Sequence, residues 1–208
     1  MSEKRSQKDS PIRLAIPSAT AVETPLEAWS HGLDVCTREE KGHTLRVTAL
    51  TLRIARLMGI TGETIKQIQR GALIHDIGRM VLPHEILLKP GALTEVEWTI
   101  MRTHPVRAYD LLAPIVQPAG LEIPYLHHER WDGSGYPNGL KRTRIPLAAR
   151  IFAVADVWDA LCSPRPYRPA RPEAEALRLI KEQAHVDFDP QVVEAFLAMI
   201  EEIRQEIV

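Results

Sequence analysis

Sixteen consecutive residues, Leu147 to Cys162, constrain the fold more than any other stretch of the chain. They read Leu-Ala-Ala-Arg-Ile-Phe-Ala-Val-Ala-Asp-Val-Trp-Asp-Ala-Leu-Cys. At helical period they are apolar nearly all round, and such a helix must be enclosed by others rather than laid on a surface. No stretch of the chain shows strand alternation and no internal repeat is found, so the enclosing elements are helices too. The expected fold is all-α, a compact bundle of about seven or eight helices. Asp156 lies in the middle of this buried helix and Asp159, three residues on, shares its face. A buried carboxylate without a partner is expensive, so Asp156 calls for a cation or strong donors.

The other helices follow from caps and stripes. Thr24-Pro25-Leu26-Glu27 combines an N-cap, a first-position proline and a capping box, opening a short helix to about Cys36. The next helix is expected over 38–58, with Val47, Leu50, Ile54 and Leu57 as its apolar stripe. Extended backwards, that stripe carries His43 and Glu39, four apart on one face. Thr61 caps a third helix that runs into His75-Asp76, with Gly78 marking its end. Residues 81–93 form a loop with one helical turn. Thr94-Glu95-Val96-Glu97 is a second capping box, and the helix it starts breaks at His104-Pro105. A segment from about Leu121 leads into His127-His128, whose side chains diverge by roughly 100° on a helix and so reach two different ions. Asp132 to Gly139 is a turn-rich loop, and Ser163 to Pro172 a proline-rich one. Helices over 172–184 and from Asp189-Pro190 close the chain, the last with the stripe Val192, Phe196, Ile200 and Ile203. Residues 1–23 read as a tail and 24–208 as one domain.

Composition removes several classes of function. The 208 residues balance 26 basic against 27 acidic side chains, net charge −1, which leaves no basic footprint for nucleic acid. The two cysteines, Cys36 and Cys162, lack CxxC spacing, so a thiolate zinc site and a disulfide framework are not expected. The charged stretch Met1 to Asp9 is unlike a signal peptide, and no apolar run approaches the ~18 residues of a membrane span. The expected location is the cytoplasm.

What remains is a surplus of nitrogen and carboxylate donors: Glu39, His43, His75, Asp76, His104, His127, His128 and Asp156. Five of the eight histidines fall in this set; His31, His84 and His185 read as surface or loop residues. Donors without sulfur suit iron first and manganese next, with zinc as an alternative and a lone magnesium disfavoured. Eight exceed the needs of one ion, so two or three transition-metal ions are expected, with Asp76 placed to bridge.

The order Glu39-x-x-x-His43, His75-Asp76, His104-Pro105, His127-His128-Glu129-Arg130-Trp131-Asp132-Gly133-Ser134-Gly135-Tyr136-Pro137, Ala155-Asp156 and Arg165-Pro166-Tyr167-Arg168 resembles the HD-GYP family, a branch of the HD-domain metal-dependent phosphohydrolases. The resemblance spans about residues 26–203. It implies a helical HD-domain bundle that hydrolyses cyclic di-GMP by a hydroxide bridging the ions, with pGpG as the product, or GMP where a second cut follows. Glu39 would add a third ion, Asp76 and Arg79 would be catalytic, and Arg79, Tyr136, Asp159, Arg165 and Arg168 would bind substrate. The Gly135-Tyr136-Pro137 loop would also meet diguanylate cyclases or receiver-type signalling proteins. Arg79 stands where the family usually has lysine, which keeps the charge but removes a proton donor. A cyclic di-GMP receptor without turnover and a hydrolase of cyclic GMP-AMP are the alternatives.

Overall fold

The computed structural model describes residues 30, 32–35, 40–164 and 169–206. The helices are α1 (His43–Leu57), α2 (Gly62–Leu73), the short α3 (His84–Leu87), α4 (Glu95–Met101), α5 (His104–Leu112), α6 (Pro118–Leu126), α7 (Leu147–Cys162), α8 (Glu173–Glu182) and α9 (Pro190–Glu206). Single 3-10 turns cover Ile77–Val81 and Arg142–Arg144, and residues 32–35 are helical. Among the described residues there is no strand, only one isolated bridge between Ala184 and Phe188. None of these helices is long and apolar enough to cross a membrane.

The core forms around α7, as its all-round apolarity requires. Helix α1 packs along it, α6, α8 and α9 cover its other sides, and Phe152, Trp158 and Phe196 are almost wholly enclosed. Trp158 meets Phe196 edge to face at 5.1 Å. Each such aromatic contributes roughly 1.5–3 kcal/mol by its burial. A smaller cluster joins Leu73, Ile74, Ile77, Ala108, Leu112 and Leu121, where the end of α2, the first 3-10 turn, α5 and α6 meet. His75 lies on the seam between the two clusters, flanked in sequence by Ile74 of the second and 4.8 Å from the Phe152 ring of the first.

Local signals are kept where they are self-contained. The Thr94 hydroxyl accepts from the Glu97 N–H and the Glu97 carboxylate accepts from the Thr94 N–H, the full capping box. At His104-Pro105 the break is complete: α4 stops at Met101 and α5 begins at His104.

Two boundaries differ from expectation. Helix α1 starts at His43 rather than near Arg38, because Gly42 is left-handed (φ 78°) and the chain turns there. Its opening is held by buried Asp34, whose carboxylate accepts from the Gly42 N–H at 3.1 Å and from the Thr44 hydroxyl. The helical spacing that put Glu39 and His43 on one face therefore does not apply, and Glu39 itself lies outside the described residues, as do Arg165, Arg168 and most of the helix expected over 24–36. The second boundary is Gly78. It is no helix stop but part of the 3-10 turn, and a Cβ there would collide with the His104 carbonyl and approach Ala108 N to 2.6 Å. Glycine is required because this turn lies directly on α5.

Candidate metal centre

Helix starts and ends deliver the site. His43 opens α1 and His104 opens α5; His75 and Asp76 occupy the turn after α2; His127 caps α6 and His128 follows it; Asp156 comes from the middle of α7. All but His128 and Asp156 are buried.

Each histidine except His128 is held by its Nδ1. His75 Nδ1 lies 3.0 Å from the Ala72 carbonyl, His104 Nδ1 2.9 Å from that of Met101, and His127 Nδ1 2.9 Å from that of Ile123. A carbonyl oxygen only accepts, so each Nδ1 carries a proton and donates it. His43 Nδ1 lies 2.8 Å from Asp159 Oδ2. The Nε2 atoms then face the interior. His43 Nε2 is 3.4 Å from Asp156 Oδ1, and His75 Nε2 is 3.3 Å from Asp76 Oδ2. On the other side His104 Nε2 is 3.3 Å, and His127 Nε2 3.8 Å, from Asp76 Oδ1. Asp76 thus turns one oxygen towards each group of histidines.

The donor chemistry fits metal ions. His104 Nε2 and His127 Nε2 are 3.3 Å apart. With both Nδ1 atoms protonated these are two facing lone pairs, tolerated only with a cation between them, a proton or a metal ion. Asp76 Oδ1 is buried without an aligned hydrogen bond, although Arg79 Nε approaches to 3.0 Å. Such an oxygen suits a cation that needs no hydrogen-bond geometry. Ligand atoms of His104, His127 and His128 all lie within 4.8 Å of one another.

Protonation states agree. Burial opposes ionisation of Asp76, but the charge of Arg79 and contacts with His75 and His104 hold its carboxyl well below the usual range. Burial, reinforced by the neighbouring imidazoles, pushes His127 and His128 well down. His75 moves up, since Asp76 outweighs the burial that would lower it. Ionised Asp76 beside neutral His127 and His128 is the state in which ligands bind metal without first losing protons. The shift at His75 instead favours the protonated ring, which must give up its Nε2 proton to ligate.

Three expected placements change in detail. His127 and His128 converge rather than diverge, their ring centroids 4.0 Å apart, because α6 ends at Leu126 and the chain leaves the helix between them. Asp156 is partly open, its side chain 25% accessible, with Oδ1 turned towards His43 Nε2. Asp159, expected to contact substrate, is buried behind His43. Arg46 grips it through Nε to Oδ1 (2.6 Å) and Nη2 to Oδ2 (3.0 Å) and reaches on to Glu40 and Ser163. Both Asp159 oxygens are thus engaged, which lowers its pKa against the pull of burial and leaves it a support for His43.

Two residues with evident roles were not singled out in the sequence. Arg46 is one. Glu129 is the other: it is buried, and its carboxylate accepts from the Asn138 and Leu140 N–H groups at 2.7 and 2.9 Å, which closes the turn-rich loop. The available signal was a carboxylate directly before a glycine-rich segment whose amides need acceptors. The closed loop lays Tyr136 on His128, ring centroids 4.7 Å apart, with Tyr136 N–H donating to the His128 carbonyl.

A match to the HD domain family covers residues 33–192. A cyclic di-GMP phosphodiesterase of Thermotoga maritima is 47% identical over 169 residues, 79% of this chain and 46% of that protein. The cyclic di-GMP phosphodiesterase response regulator RpfG of Xanthomonas campestris is 45% identical over 72% of this chain and 41% of its own length. This chain therefore spans less than half of these two curated relatives. A crystal structure of a cyclic GMP-AMP specific phosphodiesterase of V. cholerae shares the fold at a TM-score of 0.70, with 18% identity over 86% of this chain and 48% of that one. With Asp76 and six more of its eight anticipated ligands brought together and an HD-domain match over most of its length, the chain belongs to the HD-domain family, in its HD-GYP branch.

Proposed function

We propose that this chain is the catalytic unit of a metal-dependent phosphodiesterase that opens cyclic di-GMP to pGpG, with GMP the product wherever a second cut follows. The observation that carries this reading is Asp76, whose two oxygens face separate groups of oriented Nε2 donors. The 47% identity to the Thermotoga maritima cyclic di-GMP phosphodiesterase supports the choice of substrate.

His43, His75, Asp156 and one oxygen of Asp76 would hold one ion; His104, His127, His128 and the other oxygen would hold a second. The donor set suits iron first and manganese next, and a third ion would require Glu39. Bound ions lower the pKa of water and polarise a phosphoryl group. The protein's own part is orientation and charge. The Nδ1 hydrogen bonds fix the rings before any substrate arrives. Arg79 is partly exposed beside Asp76 and supplies permanent positive charge for the phosphoryl oxygens. Guanidinium gives up no proton, so the departing 3′ oxygen takes its proton from solvent. Burial raises the Tyr136 hydroxyl to about 12, so it stays neutral and donates to a bound ligand. Arg165 and Arg168 would complete substrate binding, and the Gly135-Tyr136-Pro137 loop is the surface offered to diguanylate cyclase or receiver-type partners.

The test is reconstitution without oxygen, in iron or in manganese, followed by metal analysis and turnover of cyclic di-GMP and 3′3′-cyclic GMP-AMP in parallel. At least two ions per chain and preferential cleavage of cyclic di-GMP are expected. Loaded protein that binds cyclic di-GMP without cleaving it would make the chain a receptor.

A companion expectation concerns Asp159. Asp159→Asn should weaken metal binding roughly 10–100-fold, the usual cost of losing a carboxylate behind a ligating histidine. Helical content should be retained, because Arg46 keeps Glu40 and Ser163. Unaltered metal affinity in a titration of the variant would return Asp159 to the substrate-contacting role.

A further inference from the structure

Beside the metal centre lies a cleft of roughly 460 Å³ lined by Arg102, His128, Arg130, Ser134, Gly135 and Tyr136. Its size is in the range of small-molecule sites, about 300–1,000 Å³. It opens directly on a ligand histidine, carries two guanidinium groups, and has no carboxylate in its lining.

The two arginines are differently committed. Arg130 Nη1 lies 3.3 Å from Asp187, so its charge is partly compensated. Arg102 has no carboxylate partner among the described residues; its guanidinium is held 5.9 Å over the Trp98 ring at the end of α4. An aromatic face restrains a guanidinium while leaving its N–H fork open to planar recognition of phosphate.

A phosphodiester hydrolysed at the Asp76 centre needs no second anion site. A cyclic dinucleotide does, because its ring carries a second phosphodiester at a fixed separation from the first. We propose that Arg102, assisted by Arg130, grips that second phosphodiester while the first lies at the metal centre, with Tyr136 between the two. Resting on the phosphodiesterase reading, this assigns recognition of the substrate's second phosphate to Arg102 at the end of α4 and Arg130 in the loop that follows α6. Arg102 forms charge-assisted, forked hydrogen bonds that a single-phosphate ester cannot use.

The test compares kcat/KM for cyclic di-GMP with kcat/KM for bis(4-nitrophenyl) phosphate, which has one phosphate and no macrocycle, in metal-loaded wild type, Arg102→Ala and Arg102→Lys. The ratio of the two should fall roughly tenfold or more in Arg102→Ala, the scale of one charge-assisted hydrogen bond. The loss should lie in KM rather than kcat, and Arg102→Lys should restore part of it. An unchanged ratio, whether both substrates lose equally or neither does, overturns the grip while leaving the phosphodiesterase reading standing. Wild-type protein that cleaves the simple ester but leaves cyclic di-GMP intact overturns the substrate reading itself, and the grip with it.

Discussion

Asp76→Asn is expected to remove at least one bound ion per chain and to lower the turnover of cyclic di-GMP by about 10³-fold, several kcal/mol of lost metal assistance. The substitution keeps the shape of the side chain, so its effect is chemical. A carboxylate offers an acceptor to the His75 side and another to the His104 side; an amide offers one acceptor and one donor. An ion held with one group of histidines would therefore meet an N–H where it needs an oxygen. Stability should move differently. The wild-type protein buries a charged carboxylate with one oxygen lacking an aligned hydrogen bond, a costly arrangement without a bound cation. The metal-free variant should accordingly melt no lower than metal-free wild type. Metal analysis, steady-state kinetics and a pair of thermal melts check all three. Full metal content with full activity would remove Asp76 from its shared position.

The second large effect is expected at a residue with no side chain. Gly78→Ala should cost about 3 kcal/mol, the upper end for overpacking where the obstacle is backbone. For a domain of this size that corresponds to a fall in Tm of roughly 6–12 °C. The added methyl meets the His104 carbonyl and the Ala108 amide, neither of which can rotate away. Relief requires α5 to move off the 3-10 turn, and His104 moves with it, away from Asp76. Loss of stability should therefore come with loss of metal at the His104, His127 and His128 group. A variant that melts like wild type would show that the turn and α5 are not in contact in solution.

Gly78 also marks the limit of what could be read from the sequence. The helical class, the enclosed α7, the Thr94 capping box, the break at His104-Pro105 and the stripe of α9 are written in neighbouring residues, and local patterns are enough to find them. The candidate donors could be picked out because their residue types stand out against an otherwise ordinary composition. The rest depends on contacts between residues far apart in the chain. Asp159 is bound by His43 and Arg46 across more than a hundred positions, and no periodicity links them. Glycine reads alike whether it ends a helix, as expected of Gly78, or admits a neighbouring backbone, as found. Gly42 turns the chain just where an unbroken apolar stripe suggested a longer helix.

The Nδ1 attachments separate two kinds of aim. His75, His104 and His127 are each latched to a carbonyl three or four residues back in the chain. If a distant core substitution displaces α5 or α6 slightly, those rings travel with their backbone but keep their heading. His43 has no such autonomy, because its heading is set by Asp159 on α7 and so by the register between α1 and α7. Three histidines thus carry their own compass, while the fourth takes its bearing from a neighbour.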